Sequence, residues 1–192
     1  MLSSIHPLGE RARSNRWTVT ITAFTLGSLI AGAGIGALLG WFGSIFGVRE
    51  DLALLTIGGL AVVAGGLDLI GVPAAGPSRQ VNERWIGALR GTVYGFGFGA
   101  QLGTGVATFI VTWGVWVMLI SEVLVGSALG GAVVGGVFGL GRALGPLAAG
   151  WVDRPSRLSS FTGSLARLAR PAHLTAAGAT AAIGIAAFAM GV

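Results

Sequence analysis

Residues Ile86–Ile120 read IGALRGTVYGFGFGAQLGTGVATFIVTWGVWVMLI, an apolar run of about 35 residues whose one charge, Arg90, lies near its start. A bilayer core about 30 Å thick takes roughly 20 residues of straight helix. The run is too apolar for a soluble loop and too long for one straight crossing. Its middle, Phe98-Gly99-Ala100-Gln101-Leu102-Gly103-Thr104-Gly105, mixes glycine with polar side chains. Glycine costs about 1 kcal/mol relative to alanine inside a helix, so this is the weakest helical point of the chain. Irregular backbone at membrane depth is tolerated where protein buries it or a water-filled cavity receives it. A broken or kinked third span is therefore expected.

Outward from this run lie four more apolar stretches: Thr18–Gly47, Leu52–Pro73, Val123–Ala149 and Leu174–Val192. With 53% hydrophobic and 10% charged residues and a mean hydropathy of +0.82, the composition is that of a membrane protein. The expected fold class is all-α, a polytopic integral membrane helix bundle of about five transmembrane helices. Residues 1–17 form a basic cytoplasmic N-terminal segment. Residues 18–192 form a single transmembrane domain, with an amphipathic cytoplasmic segment at about 154–171. The first span follows a basic leader but lacks a convincing small-x-small cleavage site, which fits an uncleaved signal anchor.

Arginine supplies the whole cationic signal, because there is no lysine. Arg11, Arg13 and Arg16 precede the first stretch. Arg79, Arg84 and Arg90 lie between the second stretch and the body of the third, and Arg154, Arg157, Arg167 and Arg170 follow the fourth. Basic short loops are retained on the cytoplasmic side during insertion. The expected location is the plasma (inner) membrane of a bacterium, with the N-terminus cytoplasmic and the C-terminus outside. Trp17, Trp85 and Trp151 are expected at the cytoplasmic edges, and Trp41, Trp113 and Trp116 towards the far edges. The net charge of +5 is thus a topology signal; no basic patch with interleaved aromatics points to nucleic acid.

Glycine, 35 in all, is the expected packing device. Gly32, Gly36 and Gly40 recur every four residues on the first span, Gly91, Gly95, Gly99 and Gly103 on the third, and Gly131, Gly135 and Gly139 on the fourth. Residues four apart share one helix face, and faces without side chains let backbones approach closely, as in a glycine zipper. Either packing within the chain or self-association would use them. Two short cytoplasmic helices are expected as well. Val81–Arg90 would carry Trp85, Ile86 and Leu89 on one side. Arg154–Arg170 would set Leu158, Phe161, Leu165 and Leu168 against the anionic inner leaflet.

Ionisable groups inside a membrane are expensive and mark function by default. Asp68 near the end of the second span and Arg142 in the fourth are at comparable depth, which makes them a candidate intramembrane ion pair. Glu122 is expected in a tight outward turn, hydrated. Gln101, Thr104, Thr108 and Thr112, three, four and four apart, draw a polar line along the third span. Gln101, Gly103, Thr104, Gly105 and Thr108 form the candidate cavity or helix break.

The same segment resembles the CcdA/DsbD family of membrane thiol-disulfide electron carriers of cytochrome c biogenesis. That family carries a pattern close to G-x-T-P-C-x-G-P after an Arg-Gly entry; here Arg90-Gly91 precede Gly99-Ala100-Gln101-Leu102-Gly103-Thr104-Gly105-Val106. Gly99 and Gly105 match, whereas Gly103 stands at the reactive cysteine and Leu102 and Val106 at the prolines. Phe138-Gly139-Leu140-Gly141 followed by Pro146 resembles the family's next span. The resemblance runs from Ala23 to the C-terminus as the last five of six spans, and it implies a transporter-like fold. The span holding the family's other cysteine has no counterpart. A thiolate relay needs two cysteines, and this chain has none.

The expectation that follows is a redox-dead accessory or scaffold subunit supporting a larger membrane complex, with the bilayer and other membrane subunits, or itself, as partners. The alternative is a small-solute or ion carrier or channel with its site at the broken third helix. No catalytic or metal site and no cofactor is expected. His6 and His173 flank the spans, Met1, Met118 and Met190 have no histidine beside them, and no nucleophile–base pair or phosphate loop occurs. Gly95-x-Gly97-x-Gly99 follows no strand, so it is not a dinucleotide loop.

Overall fold

A computed structural model describes residues 5–77 and 84–192. Within them the secondary structure is helical, with no strand: α1 (Pro7–Ala12), α2 (Trp17–Ser44), α3 (Glu50–Leu69), α4 (Arg84–Ala88), α5 (Gly91–Gly103), α6 (Gly114–Leu124), α7 (Ala128–Ala148), a single 3₁₀ turn (Ala149–Trp151) and α8 (Pro155–Gly191). Among the described residues four helices are long and apolar enough to cross a membrane: α2, α3, α7 with its 3₁₀ turn, and α8.

Local chemistry sets several boundaries. Glu50 and Asp51 occupy the first turn of α3, where the positive end of the helix dipole favours carboxylates. Ser127 caps α7 by accepting from the Gly130 N–H at 3.3 Å, and Pro155 opens α8 at a position that needs no backbone donor.

The long third span expected at Ile86–Ile120 is two short helices, α5 and α6, joined by non-helical backbone over 104–113. Neither reaches crossing length by itself. The amphipathic segment expected at about 154–171 is likewise not a separate helix. It is the first half of α8, which runs on for 37 residues through Pro171, about 55 Å at 1.5 Å per residue. Leu158, Phe161 and Leu165 of that half pack beside Ala149 and Val152, and Leu168 is exposed. Of the short helix expected at Val81–Arg90, residues 81–83 lie outside the described residues, as do Met1 and Arg79; α4 is the described remainder. Its Trp85 stacks on Phe98, with ring centroids 6.0 Å apart.

The bundle has two parts. In one, α2 is flanked by α5 and α7 and touched by α6; in the other, α3 pairs with α8. Register follows from the glycines. A Cβ on Gly95, Gly99 or Gly103 would meet the backbone carbonyl of Thr20, Phe24 or Ser28, which makes α5 parallel to α2. Cβ atoms on Gly131, Gly135 and Gly139 would run into the carbonyls of Gly36, Gly32 and Ser28, so α7 is antiparallel to α2. Ser28 also donates from its hydroxyl to the Gly139 carbonyl at 2.7 Å. In the second part Gly65 lies against Ala177 and Gly58 against Gly184, an antiparallel pair. The two parts meet chiefly where α3 contacts α6. The aromatic core of the first part is Phe24, Tyr94 and Phe98 with Ile21 and Ala143.

Candidate functional site

The non-helical segment 104–113 starts where α5 ends beside Ser28 and Gly32, halfway along α2. Gly105 adopts a φ of +74, a left-handed conformation that side chains disfavour, and the chain leaves the helical path there. Beyond it Thr108 and Ile110 are buried, while Ala107, Phe109 and Val111 are exposed. This alternation belongs to extended backbone. The polar line Gln101, Thr104, Thr108 and Thr112 therefore runs from the end of α5 into the non-helical segment. Thr104 turns its hydroxyl back to the Gln101 carbonyl at 2.9 Å and accepts from the Ala107 N–H at 3.3 Å. Gln101 and Thr104 are half-buried, and Gly103 and Gly105 are buried.

Two charged side chains converge on this break from different helices. Asp68, 3% exposed at the end of α3, accepts the Trp113 N–H with both carboxylate oxygens, at 3.0 and 3.1 Å. It thereby places a negative charge at the N-terminus of α6, where the helix dipole attracts it. Arg142 of α7 donates to the Thr108 hydroxyl at 3.5 Å and lies 5.7 Å from the Phe138 ring centroid. Its Nε is buried without a hydrogen-bond partner. The Asp68–Arg142 pair expected from their depths does not form. The extended segment stands between them and gives each another partner, the Trp113 amide for one and Thr108 for the other.

Trp113 and Trp116 are also displaced from the far edge expected of them. Their indole N–H groups donate to the Val72 and Ala75 carbonyls at 3.0 and 2.7 Å, so α6 starts beside the chain that leaves α3. Between α3 and α6 runs an apolar cleft of about 310 Å³, lined by Leu60, Val63, Leu67, Trp113, Trp116 and Val117 among others.

Glu122 is not a hydrated turn residue. It is 1% exposed, with Oε1 where a Cβ on Gly36 or Gly135 would come within 3.2 or 2.8 Å of it and Oε2 without a hydrogen-bond partner. Its helix turns it inward rather than out, towards Gly36 of α2 and Gly135 of α7. Sequence position alone gave no hint of this, because the rotation of α6 depends on the break before it.

A second buried acid, Glu10, lies at the other end of the bundle and was not among the residues singled out from the sequence. It accepts from the Tyr94 hydroxyl, from Arg13 at 2.7 Å and from the Thr20 hydroxyl at 2.8 Å. Burial pushes its carboxyl up, but these three donors together outweigh that and hold it below the usual carboxylate range. His6 caps α1 by accepting the Gly9 N–H on Nδ1 at 3.1 Å; burial, aided by the Arg13 charge, lowers its pKa. With the Leu8 N–H donating to the Val152 carbonyl at 3.3 Å, α1 ties together the starts of α2 and α5 and the end of α7.

No protein-family model, curated protein or solved structure matches this chain.

Proposed function

We propose that the chain is a carrier for a small anionic solute in the bacterial plasma membrane, with its site at the interrupted third pass. The observation that carries this reading is the break at 104–113, half-way along α2, where buried Thr108 accepts from Arg142, whose Nε is buried without a partner. Non-helical backbone at membrane depth is stable only against protein or a water-lined cavity, and transporters use such interruptions as mid-membrane binding sites. A guanidinium held there with a free donor selects an anion or a carbonyl oxygen. Asp68 neutralises the α6 terminus, which leaves Arg142 as the local positive charge.

In this reading the chain crosses five times, the third time as α5 plus α6. The arginine-rich ends place the N-terminus in the cytoplasm and the C-terminus outside. The glycine registers of α2, α5 and α7 form a glycine zipper within the chain. This is why we favour a carrier over the accessory subunit, since the small-residue faces that could have docked a partner are occupied by the chain itself. The likeness to the CcdA/DsbD family contributes a transporter-like architecture without its thiol chemistry.

Proteoliposomes tested with chloride, nitrate, acetate and phosphate gradients provide the check. The parent should pass at least one of these anions above empty vesicles. Arg142→Gln and Thr108→Val should reduce that flux at least tenfold while the protein stays folded. Failure of every anion to permeate, or undiminished flux in both variants, ends this reading.

A further inference from the structure

Glu122 plays no part in the anion site, yet it is 1% exposed and keeps one carboxyl oxygen buried without a hydrogen-bond partner. The elements packed on α6 offer it no counter-charge. α2 contains no ionisable residue, α7 contains only Arg142, and α3 contains Glu50, Asp51 and Asp68. Arg142 is engaged with Thr108, and Asp68 with the Trp113 amide at the opposite end of α6. At the level of Glu122 the neighbours are the glycine backbones of Gly36 and Gly135. With no counter-charge and one oxygen buried without a donor, the neutral acid is the favoured resident form. A glutamine would fill the same volume with no ionisation at all. The presence of an acid is explained if the charged form is visited.

Its position shows how that would matter. Glu122 lies one turn from the C-terminus of α6, and the break lies at the N-terminus, nine residues or about 13 Å away. The non-helical segment 104–113, which holds Gly105 at φ +74, precedes α6, and Gly126 with φ +60 follows it. A short helical rod with non-helical backbone at both ends can shift as a unit. Loss of the proton drives the carboxylate towards water past the end of α6, and the rod carries that displacement to Trp113 and the break.

We propose that Glu122 is a proton-exchanging site, and that binding and release of its proton, acting through α6, link anion movement to proton movement. The coupling rests on the carrier reading; the proton site does not. A neutral buried carboxyl adds its O–H across a C=N bond of dicyclohexylcarbodiimide, the proton going to nitrogen, and the O-acylisourea so formed rearranges to a stable N-acylurea; a carboxylate, lacking that proton, does not start the addition. The full chain in detergent should acquire one such adduct at Glu122, mapped by mass spectrometry, with labelling that falls at least tenfold between pH 6 and pH 9. Glu122→Gln should abolish the adduct and keep the parent's helical signal and thermal midpoint. An infrared difference spectrum between the same pH values should contain an acid-carbonyl band that the Gln variant lacks.

Absence of that band together with absent or pH-independent labelling overturns the proton site. For coupling, the probe is whichever of the four anions passes the flux test, added to vesicles loaded with a pH-sensitive dye. The parent should move protons with the anion, and Glu122→Gln should not. Anion flux without proton movement in the parent, or proton movement preserved in the variant, overturns coupling and leaves the carrier intact. Acid-dependent labelling with no anion flux removes the carrier and leaves the proton site standing.

Discussion

Gly99 and Gly34 differ only in what surrounds them, and the difference decides what each contributes. A Cβ at Gly99 would run into the Phe24 carbonyl, which belongs to a helix and cannot yield. A Cβ at Gly34 would meet nothing within 4 Å. Overpacking of a tight contact costs about 1–3 kcal/mol, while a surface substitution away from such contacts stays within about 0.5 kcal/mol. Gly99→Ala should therefore lower the denaturation midpoint in detergent clearly, and Gly34→Ala should leave it near the parent value. Equal midpoints for the two would mean that α5 does not lie against α2 as described. The four-residue repeat made the first glycine conspicuous in the sequence. It could not say which carbonyl the repeat would face, because that depends on a partner helix about 75 residues distant.

At the scale of elements, the break at Thr104 and Gly105 was legible in the sequence, but its extent to residue 113 was not. Glycine density pointed to Phe98–Gly105 as the weak point, yet α5 holds to Gly103. Those glycines are the ones pressed against Thr20, Phe24 and Ser28, and close backbone packing repays their lost helix propensity. The helix fails only where that contact ends. Glu122 was misjudged for the same reason, since its inward direction follows from where α6 restarts. α1 escaped notice because it is six residues long and is held by tertiary bonds rather than by periodicity.

That helix yields a pH dependence. Both His6 and Glu10 have lowered pKa values in the folded chain. For each, the stabilisation is present above the unfolded value and is lost as pH falls through the folded one. Protonated His6 can no longer accept the Gly9 amide on Nδ1, and protonated Glu10 attracts Arg13 less. Acidification from neutral to below the ordinary carboxylate range, about pH 4, should release α1 and leave the long helices in place. Hydrogen exchange, corrected for intrinsic rates, should reveal at least a tenfold loss of protection over residues 7–13 and little change in α2 or α7. Glu10→Ala should reproduce the loss at neutral pH. Protection that stays constant with pH would mean that α1 is held by other contacts.

On the scale of the whole molecule, the division into α2–α5–α6–α7 and α3–α8 would supply the moving parts of the proposed carrier. The first group is joined by backbone contacts at glycines, which tolerate little sliding. The second meets it mainly where α3 contacts α6, beside an apolar cleft and three donors, the Trp113 amide and the Trp113 and Trp116 indoles. Relative motion is cheapest at the seam with the fewest fixed contacts, and the break lies on that seam. Because the chain has no cysteine, pairs of introduced thiols can be bridged cleanly by a reducible bifunctional reagent. A bridge between Leu67→Cys and Val117→Cys, which line the cleft from α3 and α6, should reduce anion flux to that of empty vesicles, and reduction should restore it. A bridge between Leu29→Cys and Gly136→Cys, adjacent across α2 and α7, should leave flux within about twofold of the unbridged pair, because those helices move together. Full flux with the first bridge closed would show that the two parts do not move against each other during transport.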